Sequence, residues 1–310
     1  MNTPIPRQFH FVYGLRQQDR PFPLMHYLCL ESCARINRPD RIFLHCHHEP
    51  YGVYWDLIRP RLHIRRVPLN AFVSGYQYKD PSLARYRYAH QSDFIRMEAL
   101  LEHGGIYADI DTLFVHPLPE RLFAHPCVLG REGDVTDAPG TPPRPSLCNA
   151  FIMAVPQSAF LRQWYEELGT AFDGSWSQHS TALPWTLSRR YPDWVHVEPM
   201  RSFYKYQWTR EDLHRLLEAA EDQEPDVFSI HLWAHLWESR GRRDYSRFHS
   251  ALITERRVRT VDSTYNRIAR RALPPPALLR PLRYAASWWL AALRIAIRKK
   301  LPATAKRTPS

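Results

Sequence analysis

Short apolar runs alternate with amphipathic stretches along the first half of the chain. Phe9-His-Phe-Val-Tyr13 is apolar and aromatic, ends at Gly14, and reads as a strand. Residues 23–36 carry a helical pattern that stops before Asn37-Arg-Pro39. Arg41–His45 and Leu62–Val67 read as a second and a third strand. Strand, helix, strand at this spacing predicts an α/β fold with a largely parallel sheet. Ligands of such open sheets bind at the carboxyl ends of the strands.

Further on, residues 89–102 form a helical pattern with Phe94, Met97 and Leu101 on one stripe, and His103-Gly104-Gly105 ends it. Ile106–Val115 reads as a strand interrupted by two acids. Residues 130–147, rich in Gly, Pro, Asp and Thr, are expected to be a mobile loop. A strand over Asn149–Val155 and a helix over roughly 158–171 follow, and the aromatic stretch Ser229–Trp237 closes the body.

The interrupted strand carries the candidate chemistry. Asp109 and Asp111 sit among apolar residues, where a carboxylate without a partner is costly, so they are expected to line a cleft or hold an ion. On a strand both would point to one side, about 6–7 Å apart. Two such oxygen donors suit a hard divalent ion, Mn²⁺ or Mg²⁺, that can also grip a diphosphate. Upstream, Asp93 and Arg96 share a helix face one turn apart, and the Gly-Gly turn delivers that face towards the acids. A surface ion pair would be worth about 0.3–0.5 kcal/mol and would need no such pattern around it.

The block Ser92-Asp93-Phe-Ile-Arg96 through Gly104-Gly105-Ile-Tyr107-Ala-Asp109-Ile-Asp111 resembles the sugar-binding region of glycosyltransferase family 32. Its relatives include clostridial toxin glucosyltransferase domains and α-1,4-galactosyltransferases. The resemblance implies a GT-A fold over residues 1–250, a divalent ion, a nucleotide-sugar donor, a retaining reaction, and a glycan, lipid-linked or protein acceptor. It implies that Asp93 and Arg96 bind the donor sugar and that Asp109 contacts ribose and sugar hydroxyls. Asp111 would hold the metal, with Tyr107 packed beneath. Ile5–Gly14 is similar to the family's opening strand, which places Val12 and Tyr13 at the nucleotide base. Tyr13 stands where the toxins carry a stacking tryptophan, and core packing is its other reading. Asn149 is a candidate donor contact on the strand beside the acceptor, while Ser180–Pro184 matches the family's Gly-Pro element only loosely. Ile230-His231-Leu-Trp233 with Trp237 is similar to the closing His/Trp element, with His231 as a third metal or phosphate partner and the Trp237 indole as a donor to the diphosphate. Ordinary core packing is the alternative for both.

Charge changes the picture at one end. The formal net charge is +11, yet residues 255–310 hold 14 of the 42 Lys/Arg and two of the 31 acids, a net of +12. Upstream the balance is −1, so a basic catalytic domain is excluded and no nucleic-acid partner is expected. On a helical wheel over 278–300, Arg280, Arg283, Ser287, Arg294 and Arg298 form one stripe, opposite Leu278, Leu282, Trp289 and Leu293. Residues 251–310 therefore read as a basic amphipathic extension. It could make a peripheral membrane contact, pack back on the body, or pair with a second copy. Five cysteines without a paired framework, and no signal-peptide pattern, point to a cytoplasmic setting at the inner face of a membrane. Cys29 and Cys33 with His26 could suggest a metal site, but no second pair follows, and buried apolar packing is the expectation. Two other readings stay open: a basic-tailed binding module without catalysis, and a haloacid-dehalogenase-like phosphohydrolase. In the latter motif one residue separates the second Asp from a Thr or Val, whereas Thr112 follows Asp111 directly.

Overall fold

In the computed structural model, which describes residues 4–136, 142–234 and 253–300, the main sheet has seven strands. In chain order these are β1 (Gln8–Val12), β2 (Arg41–Cys46), β3 (His63–Arg66), β4 (Gly105–Ala108), β6 (Cys127–Arg131), β7 (Leu147–Ala154) and β8 (His196–Glu198). Across the sheet they run β3-β2-β1-β4-β7-β6-β8, and β7 alone opposes its neighbours. The largely parallel α/β sheet expected from the pattern is what the chain forms. Parallel strands are covered on both faces, which is why β1 and β4 read as continuous apolar runs. Phe9, Phe11 and Ile106 face one core, built with α1 (Leu24–Ile36); Val12 and Tyr107 face a second, built with α2 (Arg87–His103) and α3 (Ala159–Ala171). Leu28 of α1 is fully buried, so its truncation to Ala should cost about 2–5 kcal/mol.

Three expectations change. Ile106–Val115 is not one strand: β4 stops at Ala108, the chain turns through Asp109–Asp111, and β5 (Thr112–Phe114) pairs with β9 (Ser229–His231) in a separate two-stranded ladder. The Thr112 amide donates to the Asp109 carbonyl at 2.9 Å and closes that turn. Helix α2 buries residues all round rather than along one stripe, because the sheet lies on one side and α3 with Phe72 and Phe172 on the other. The expected loop at 130–147 is, in its described parts, the connection of the β6–β7 hairpin, with Val135 and Arg144 exchanging backbone hydrogen bonds of 3.0 and 2.9 Å.

The turn from α2 into β4 requires its two glycines. Gly104 (φ 62°) and Gly105 (φ 104°) hold left-handed backbone. A Cβ on Gly104 would meet Pro156 at 2.5 Å, and one on Gly105 the Gln8 carbonyl at 2.5 Å. This close approach brings Asp93 and Arg96 against the end of β4. The basic end of the chain has two parts. Val258, Tyr265, Ile268 and Leu273 join the same buried cluster as Phe9 and Leu28. Beyond the prolines, helix α4 (Arg280–Lys300) lies on the surface. Among the described residues no helix is long and apolar enough to cross a membrane. Cys29 and Cys33 are fully buried free thiols in the core, pushed up by burial, as the apolar reading expects.

Candidate active site

The carboxyl ends of β1 and β4 open into a cavity of about 300 Å³ whose lining includes Val12, Asp93, Arg96, Tyr107, Asp109 and Asp111. Its first part is a charge-balanced polar network around Asp93 and Arg96. Arg96 lies 3.1 Å from Asp93 and 3.4 Å from Asp109, donates to the Asn149 carbonyl at 2.7 Å, and stacks over the Tyr107 ring at 4.4 Å. Asp93 also accepts from the Asn149 side-chain amide at 2.8 Å and contacts the His179 imidazole at 2.9 Å. Burial alone would raise the Asp93 carboxyl, but Arg96 and His179 overcome it and hold the group below its ordinary value. Asp93 and Arg96 are both buried, so this is no solvated surface pair.

The second part is acidic. Because of the turn, Asp109 and Asp111 approach His231 of β9, and their donor atoms all lie within 4.8 Å of one another. It is the turn, and not strand periodicity, that makes the carboxylates converge. His231 Nε2 is 3.1 Å from Asp111 and 3.7 Å from Asp109. Asp111 accepts the Ala234 amide at 2.8 Å, and Asp109 accepts the Tyr107 hydroxyl at 2.5 Å. For Asp111, burial raises the carboxyl but His231 and the Ala234 amide more than reverse it, leaving it well below the carboxylate range. For Asp109 burial wins, with Arg96 and His231 offsetting it in part, and the carboxyl is raised. Burial would lower the His231 imidazole, yet the two aspartates raise it. Among the described residues its Nδ1 has no hydrogen-bond partner. Two carboxylates and the imidazole Nε2 that faces them fit a hard divalent cation.

Tyr13 is half-buried, set edge-on against Phe22 and His26 at 5.1 Å, and lines an adjoining hollow that shares Val12, His26 and Ser92 with the main cavity. Trp237 lies outside the described residues. Sequence reasoning assigned no role to Glu132 and His179. His179 follows no pattern in the sequence. Glu132 stands just past the carboxyl end of β6, where ligand-binding residues of such sheets collect. It lines the cavity, is 4% exposed, and its Oε1 has no hydrogen-bond partner among the described residues; burial pushes its carboxyl up, with Ser146 and Cys148 offsetting part of that. Ser180 and Thr181, from the loosely matching element, also line the cavity.

This arrangement can be set beside known proteins. The family described as glycosyltransferase sugar-binding region containing DXD motif matches residues 28–129, which take in Asp93, Arg96, Tyr107, Asp109 and Asp111. The chain carries the DXD glycosyltransferase sugar-binding region over those residues and is a glycosyltransferase. This glycosyltransferase is 29% identical over 277 residues to glucan organizing enzyme 1 of Cryptococcus neoformans var. grubii, covering 87% of this chain and 71% of that one. Among solved structures, the PaToxG glycosyltransferase is 17% identical with a TM-score of 0.40, covering 61% of this chain and 71% of that one. The glycosyltransferase GlyE of Streptococcus pneumoniae is 10% identical with a TM-score of 0.44, covering 94% and 64%. The match supports a transferase over the phosphohydrolase and the non-catalytic module. DXD glycosyltransferases use a divalent metal, a nucleotide-sugar donor and a glycan acceptor.

Proposed function

We propose that this enzyme moves a hexose from a nucleotide-sugar, a UDP-sugar in the first instance, to a glycan, lipid-linked or protein acceptor with retention of anomeric configuration. The observation that carries the proposal is the meeting of Asp109, Asp111 and His231 within 4.8 Å, beside a buried Asp93–Arg96 couple in one cavity. Asp111, Asp109 and His231 would hold Mn²⁺ or Mg²⁺, which supplies charge neutralisation for a departing diphosphate. Asp93 and Arg96, fixed by Asn149 and His179, orient the sugar, and preset geometry of this kind lowers the entropic part of the barrier. Tyr107 braces Asp109 and Arg96, while Val12 and Tyr13 take the base. The Trp237 indole belongs to this proposal as a donor to the diphosphate. Acceptor attack from the leaving-group face, with the diphosphate taking the acceptor proton, is the mechanism adopted.

Residues 1–250 form the transferase unit in this reading, and 251–310 an extension anchored by its first part in the core. Five free buried cysteines support a reducing cytoplasmic setting, and a lipid-linked or envelope acceptor fits a chain held at the inner face of a membrane. The test is a panel of UDP- and GDP-sugars with Mn²⁺, read by donor hydrolysis and calorimetry. A UDP-sugar should bind and turn over, and Asp111→Ala should lose about 10²–10³-fold or more in turnover. Turnover unchanged in Asp111→Ala would remove the metal assignment.

A further inference from the structure

Helix α4 is inside out for a helix that packs on a globular body. Its inward edge holds Arg280, which is 8% exposed and donates to both oxygens of Glu255 at 2.7 and 2.9 Å. Tyr284 packs against Tyr54 at 5.2 Å between centroids, and Ala291 is 5% exposed. The edge expected to carry an arginine stripe into solvent thus begins with a buried ion pair. The opposite edge carries Leu282, Trp289, Leu290 and Leu293, at 66, 78, 55 and 57% exposure. Leu278 and Leu279, just before the helix, are 97 and 67% exposed. An ordinary amphipathic helix would turn such a row into the core, and soluble monomers rarely expose one this continuous.

We infer that this outward row is a docking face for an anionic lipid bilayer, with the helix lying in the plane of the interface. The charge around it decides between occupants. From Asp262 to the end of the sequence there is no further acid, and residues 255–310 carry a net of +12. A two-fold pair of copies would bring this charge against itself, whereas an anionic surface complements it. Trp289 stands in the middle of the row, and Trp is the residue type favoured at the headgroup boundary. The face also sits next to the chemistry. Arg20 and Pro23 line both the hollow that holds Tyr13 and a groove of about 750 Å³ under α4, whose walls include Leu24, Met25 and Trp288. An acceptor anchored in the bilayer would therefore reach the cavity without leaving the surface.

The inference rests on the transferase reading for its purpose and not for its test, which contains no donor. The full chain is sedimented with vesicles of phosphatidylcholine alone and of phosphatidylcholine mixed with phosphatidylglycerol. Capture should favour the anionic vesicles by about tenfold or more and weaken with salt. A chain carrying Leu282→Glu, Trp289→Glu and Leu293→Glu should lose that capture by about tenfold or more. Its circular dichroism, melting temperature and UDP/Mn²⁺ affinity should match the unaltered chain, since Leu282 and Leu293 face solvent and Trp289, 78% exposed, only edges the groove under α4. Equal capture of the two chains overturns the inference. So does absence of capture, and so does a dimer in sedimentation velocity that the triple substitution dissolves without vesicles playing a part. Absence of sugar transfer by the unaltered chain in a separate assay, with capture intact, would instead strike the transferase reading.

Discussion

The two halves of the active-site cavity are built from the same residue types and differ in whether their charges are answered. Around Asp93 and Arg96 every oxygen and the guanidinium have partners, and the couple is neutral in sum. Around Asp109 and Asp111 two carboxylates share one imidazole, and Asp109 also reaches the Arg96 guanidinium. A buried network whose charges balance can act as a rigid clamp. One that carries surplus negative charge is a place for a cation. Burial is overcome at Asp93 and at Asp111 but prevails at Asp109.

Substitutions in the two halves should therefore move stability in opposite directions. Asp109→Asn should cut transfer by about 10²-fold or more. It should also raise the melting temperature of the metal-free protein, because the carboxyl it replaces is one that burial disfavours in its charged form. A metal-free Asp109→Asn that melts lower would break the contrast. Arg96→Ala should do the reverse on stability. It leaves Asp93 and Asp109 buried without their cation and should cost about 3–5 kcal/mol in denaturant unfolding. Arg96→Lys should restore part of the stability and little of the transfer, since one ammonium cannot serve both carboxylates and the Asn149 carbonyl.

A smaller effect comes from outside the cavity. His10 and His45 pair at 3.0 Å behind β1 and β2, and burial lowers them to about 4 and about 3, with His103 and Arg65 adding to the shift. The unfolded chain takes up their protons first as pH falls below the ordinary histidine range. Stability should then decline from about pH 6.5 towards pH 4, by up to about 1.4 kcal/mol per pH unit for each imidazole. Unfolding midpoints across that window, for the parent and for a chain lacking both imidazoles, measure the difference in slope. The smallest effect is expected at Glu132. Glu132→Gln keeps the size of a raised, buried carboxyl and should change KM for donor or acceptor by a few-fold, with little change in melting temperature.

What was legible in the sequence followed the range of the interactions behind it. The α/β sheet, helix α2 and the Gly-Gly turn arise from local patterns, and the couple Asp93–Arg96 falls on one helix face by spacing alone. The convergence of Asp109 and Asp111 was anticipated for the wrong geometric reason. Thr112–Phe114 leaves the sheet to pair with Ser229–His231, more than a hundred residues away, and no local period signals that. His179 and Glu132 join the site in the same long-range manner. The extension shows the converse. Its periodicity was readable, yet the side facing the body was not, because Glu255 neutralises Arg280 and lets that arginine turn inward.

The central claim is that the Asp109–Asp111–His231 cluster holds a divalent ion on which nucleotide binding depends. Calorimetric titration of UDP into the full chain, with Mn²⁺ and then with EDTA, tests it directly. Tight binding with Mn²⁺ should fall by about tenfold or more under EDTA, and Asp111→Ala should bind UDP equally weakly in both conditions. UDP affinity that is the same with and without metal, in parent and variant alike, would contradict the account.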